Sequence, residues 1–111
     1  MLSRKAIAIA SLSTIVCGSA AVAEEGFKSS EFLTWSTESQ RSYITTAATA
    51  ASVIVAANAR DQAKCIDDWG IKHRAGFYQP VLEAMKKLPD YHPMAVTIAV
   101  LEKACGEFKY R

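Results

Sequence analysis

The sequence predicts an all-α fold, a compact bundle of four to five helices closed by one disulfide and preceded by a cleaved signal peptide. Three observations predict it. Residues 37–69 carry the longest helical pattern in the chain, with apolar residues recurring at helical spacing through an alanine-rich run. The segments after it read as shorter helices bounded by Gly70, Pro89 and Gly106. Cys65 and Cys105 form an even pair in a chain whose first residues read as an export signal.

That signal is read over residues 1–23. Arg4 and Lys5 make a short basic region, residues 6–16 an apolar one, and Ala21-Val22-Ala23 a small-x-small cleavage site, so the mature chain is expected to begin at Glu24. The apolar run is too short to cross a bilayer, which takes about 17–25 residues. Cys17 follows Val16, where a lipobox wants a small residue, so we expect this thiol to leave with the signal and not to carry lipid.

Cleavage removes the only charge excess. The whole chain has 13 Lys and Arg against 11 Asp and Glu, and without Arg4 and Lys5 the two signs balance. A neutral domain with no basic stripe gives no electrostatic reason to bind nucleic acid or anionic lipid. The expected location is the periplasm or the extracellular space, with no membrane span after cleavage.

In such a compartment the cysteine pair is most simply a bridge. Fewer than 90 residues make a modest core, and closing a loop of this length restricts the unfolded chain by about 4 kcal/mol in the entropic model. A reactive thiol would need a Cys-x-x-Cys or an activating neighbour, and the sequence shows neither.

Taken in order, residues 24–30 read as a flexible polar lead and residues 31–111 as the helical domain. Phe32, Leu33 and Trp35 crowd one short turn, and they cannot all face one side of it. Ser36 or Thr37 can cap the long helix, and Thr37-Glu38-Ser39-Gln40 fits a capping box. The apolar arc of that helix is read as Tyr43, Ile44, Ala47, Ala48, Ala50, Ala51, Ile54 and Val55, with Thr45, Thr49 and Ser52 opposite, and the helix as the centre of the bundle.

Unbroken to Trp69, the helix would be about 50 Å long, more than a domain of this size can hold. A break is therefore expected at residues 58–61. Asp61 would cap a second piece over residues 62–69 that Gly70 ends, and residues 71–76 read as a polar loop. A further helix is expected over residues 78–88, with Pro80 in its first turn, Val81, Leu82, Met85 and Leu88 inward, and Glu83 paired with Lys87 outside. Pro93 begins the last helix and Gly106 follows it. Met94, Ile98, Leu101 and Cys105 form its expected buried stripe. Val96 and Val100 form a second, which faces either the domain itself or another protein chain.

Chemistry finds little to work with. His73 and His92 are the only imidazoles and stand in separate segments, Asp67 and Asp68 diverge on a helix, and no metal-ligand spacing, nucleophile elbow or phosphate loop occurs. We expect no enzyme, no metal and no cofactor.

Gln40-x-x-Tyr43-Ile44 in an alanine-rich helix, Cys65-Ile66, Val81-Leu82, Leu88-Pro89, His92-Pro93 and an apolar helix ending at Cys105 resemble the periplasmic immunity proteins of type VI secretion amidase effectors, the Tai-like family. Asp67 stands where that family has Pro. The resemblance implies an exported helical domain that binds a peptidoglycan amidase effector. Phe32-Leu33 followed by Gln40 is similar to HdeA-like periplasmic acid chaperones, which implies unfolded clients as the alternative partners. A structural envelope protein is the third reading. The surfaces expected to meet a partner, or a second copy in a homodimer, are Val96 with Val100 and the turn with Phe32, Leu33 and Trp35.

Overall fold

The computed structural model describes residues 26–110, so the signal peptide, its cleavage site and Cys17 lie outside the described residues. Within them the chain forms five helices: α1 (Ser29–Phe32), α2 (Thr37–Ala56), α3 (Arg60–Arg74), α4 (Gln79–Lys87) and α5 (Pro93–Cys105). The all-helical bundle is the fold the sequence predicts, and Cys65 is bridged to Cys105.

Several boundaries have a local cause. Ser36 caps α2, its hydroxyl accepting the amide of Ser39 at 3.1 Å, which relieves one of the orphan donors of the first turn. The break after α2 falls where it was expected. Ala59, however, is the cap residue of α3 and offers no side-chain bond, so Asp61 already lies inside the first turn.

Gly70 does not end α3, and the helix runs on to Arg74. One interior glycine costs only about 1 kcal/mol. Against that, Trp69 packs on His73 one turn later at 4.7 Å, and Lys72, His73 and Arg74 place positive or protonatable groups at the negative end of the helix dipole.

The turn into α4 is the strained part of the backbone. Phe77 and Tyr78 both adopt left-handed conformations, at φ 59° and 56°, where an L-residue loses about 1–2 kcal/mol. Tyr78 recovers that loss through burial. It is 1% exposed, stacks on Trp69 at 5.7 Å and shares a 2.7 Å hydrogen bond with the hydroxyl of Thr45. In α4, Val81 and Met85 face inward as expected, but Leu88 lies beyond the last helical residue and is exposed. Glu83 bonds to Lys86 and Gln79, one turn either way, and not to Lys87.

The centre of the bundle is α5, which touches the other four helices, and not the long α2, which pairs most extensively with α3. The inward face of α5 is Pro93, Val96, Thr97 and Leu101, with Val100 and Cys105 packed beside them. Of the expected stripe Leu101 and Cys105 hold their places, while Met94 and Ile98 are only partly buried and Val96 and Thr97 take the inward positions. Thr97 tolerates that orientation, because its hydroxyl donates to the Pro93 carbonyl at 2.8 Å and so enters the core without an unmet bond.

A similar correction applies to α2. Its buried face is turned toward Ser52, whose hydroxyl donates to the Ala63 carbonyl of α3, while Ala50 and Ile54 are exposed. The core that results is Phe32, Ile44, Val55, Ile66, Tyr78, Val81, Met85, Val96 and Leu101.

Two pins hold the ends of the described chain. Ser29 is fully buried, and both its amide and its hydroxyl donate to the Tyr91 carbonyl at 2.8 Å. Much of the segment read as a flexible lead is thereby joined to the loop before α5. At the other end, the amide nitrogen of buried Gln62 lies 3.2, 3.0 and 2.7 Å from the carbonyls of Cys105, Gly106 and Glu107, while its oxygen accepts the Lys109 amide.

Candidate functional site

Between Phe27 and Tyr43 the chain supplies four aromatic rings, and the fold gathers them at one end of the bundle. Phe27 stacks on Trp35 at 5.0 Å, and Phe32 meets Trp35 and Tyr43 at 5.0 Å each. His92 closes the group edge-on to Phe27 at 5.7 Å. Such tilted and edge contacts match the quadrupoles of the rings.

Polar bonds fix the backbone that presents them. Gln40, buried on α2, donates to the Phe32 carbonyl at 3.1 Å and holds the end of α1 over α2. Nδ1 of His92 accepts the Met94 amide at 3.0 Å and caps α5. That bond engages one ring nitrogen structurally.

Beside the cluster, α2 and the start of α5 leave an open groove of about 380 Å³. Trp35, Tyr43, Ala47 and Met94 line it, and the hydroxyl-bearing Ser39, Ser42 and Thr46 complete the lining. Trp35 is 39% exposed. No charged side chain lines the groove, and burial pushes the Tyr43 phenol above its already high ordinary value.

Of the five residues expected to form an interface, four are buried or partly buried. Val96 is 2% exposed and belongs to the core, and Val100 packs against that core, so the second stripe of α5 is buried within the domain. Phe32 is also fully buried and Leu33 partly so. Trp35 alone among the five is an exposed large side chain. Tyr43 and Met94, the other two large members of the groove, were both read from sequence as core. The signal that could have singled them out is tertiary: they come together only once α5 is rotated to bury Thr97.

No family model, curated protein or solved structure matches this chain.

Among the described residues no group of three or more His, Cys, Asp and Glu is placed to hold a metal ion, and no helix is long and apolar enough to cross a membrane. Ser39 receives the Ser36 hydroxyl at 3.0 Å, and no imidazole or carboxylate lines the groove to act as its base. The groove presents an apolar floor of Tyr43, Ala47 and Met94, an indole at its edge and three hydroxyls that can form hydrogen bonds.

Proposed function

We propose that this chain is an exported protein-binding domain without turnover of its own, acting in the periplasm or outside the cell, and that the groove beside Trp35 receives an apolar side chain of its partner. The observation that carries the reading is the half-open indole over an uncharged groove of Tyr43 and Met94. Trp, Tyr and Met are the residue types enriched where interfaces gain their energy. The disulfide supports export, because such bonds persist in oxidising compartments.

The resemblance to amidase immunity proteins gives the partner its chemistry: a peptidoglycan-cleaving amidase, bound as a folded protein at neutral pH. The test is titration calorimetry with an amidase encoded beside this chain, together with protection of cells that export the domain. Trp35→Ala should weaken binding by about thirtyfold, the scale of an interface hot spot, while leaving helical content unchanged. Unchanged affinity in both Trp35→Ala and Met94→Ala would remove the groove from the interface.

A further inference from the structure

Gly70 occupies the interior of α3, where glycine is disfavoured relative to alanine, and the packing of the chain gives no reason for it. A Cβ built there would meet nothing within 4 Å. The missing side chain opens a hollow in the groove of about 320 Å³ between α2 and α3, whose lining includes Ala48, Ile66 and Thr49. The next residue, Ile71, lines the same groove and is 76% exposed, the most open of the large apolar side chains described.

A hollow and a knob one residue apart on one helix complement each other under two-fold symmetry. Asp67 and Arg74 flank them one turn away on either side, line the same groove, and make no ion pair within the described residues. If two copies of α3 run antiparallel about an axis between residues 70 and 71, Ile71 of each faces Gly70 of the other. The same register sets Asp67 of each copy against Arg74 of the other, twice over. A parallel register would set like charge on like. The neighbouring stretch of α2, residues 42–56, carries no charged side chain that would oppose the approach.

We propose that this face of the α2–α3 hairpin is an interface with a second copy of the same chain, paired antiparallel through Gly70 and Ile71 and set in register by Asp67 and Arg74. It shares no lining residue with the Trp35 groove and does not depend on the function proposed for that groove. Charge sets the register, and the apolar knob in its hollow supplies the attraction.

Sedimentation of the oxidised protein across a concentration series tests this directly. The parent is expected to pass from monomer to dimer, and Ile71→Asp and Gly70→Leu should each remain monomeric with unchanged circular dichroism. Asp67→Arg and Arg74→Asp should each weaken dimerisation by about tenfold in all, because two-fold symmetry disrupts both exposed charge pairs at once. The double variant Asp67→Arg/Arg74→Asp should recover it, because the swapped charges again face their opposites. Trp35→Ala should dimerise like the parent, which separates this face from the partner groove. A parent that stays monomeric at every concentration overturns the proposal and leaves the face to another chain or to water. So does a double variant no better than its single parents, a comparison that holds even if Ile71→Asp fails to fold.

Discussion

Replacing Gln62 with alanine would leave the carbonyls of Cys105, Gly106 and Glu107 without their donor and the Lys109 amide without its acceptor. These groups lie at a part-buried edge, where a hydrogen bond contributes about 0.5–1.5 kcal/mol net, so Gln62→Ala should lower the melting temperature. Hydrogen exchange supplies the specific check: the Lys109 amide should lose protection while the core amides of α5 keep theirs. Gly70 acts in the opposite direction. Since a Cβ there meets open space, Gly70→Ala should stabilise α3 by about 1 kcal/mol. That corresponds to about 4–8 °C in melting temperature for a domain of this size, measured in dilute solution. Gln40, Ser52, Gln62 and Thr97 share one habit. Each is buried and donates its side-chain proton to a backbone carbonyl. A pattern of apolar and polar letters marks all four as outward-facing, because the carbonyls that satisfy Gln40, Ser52 and Gln62 belong to other elements.

The order and approximate limits of the helices were legible in the sequence, because Ser36, the interruption after Ala56, Pro80, Pro93 and Gly106 are local signals acting within one turn. Which face each helix buries was less legible. α5 has apolar residues on two sides, and only its position among four other helices decides that Val96 and Leu101 go inward while Met94 and Ile98 stay partly open. Gly70 reads as a terminator in the sequence, yet α3 runs through it, because nothing in its surroundings requires the chain to turn there. The candidate site was legible as one residue, Trp35, since the groove beside it depends on that rotation of α5. The bridge between α3 and α5 was readable from cysteine count and compartment. Cys65 and Cys105 are separated by 40 positions, and removing both as Cys65→Ala/Cys105→Ala should cost about 4 kcal/mol in denaturant unfolding. A loss below about 1 kcal/mol would show that the Gln62 clamp and the core already hold the two helices together.

At the scale of the whole molecule, apolar packing rather than charge carries the stability. The ion pairs Glu38–Arg41, Lys64–Asp68 and Glu83–Lys86 are all on the surface and within single helices, where salt and solvent screen them. Raising the salt concentration should therefore move the melting temperature little. Glu83 shows the sign of the acid response. The Lys86 ammonium bonded to its carboxylate holds its pKa below the ordinary 4.5. Its small contribution is present above about pH 4.5 and lost as pH falls through the lowered folded value. Melting curves of Glu83→Gln and parent should converge in strong acid and separate, with the parent higher, near neutrality. An equal gap at every pH would assign the effect to something other than this carboxylate.

The Gln62 clamp sits one turn before Cys65 on α3, and its carbonyl partners begin at Cys105 itself. In a folded chain whose cysteines are still reduced, the same side chain would hold the second cysteine near the first. Once an external disulfide oxidant has formed a mixed disulfide with one cysteine, the other thiolate displaces the oxidant's thiol in an intramolecular step between groups already in reach, and that step is independent of protein concentration. The clamp acts as a jig for closing the bridge, and a chain without it would have to find the same pairing by diffusion of the whole α5 end.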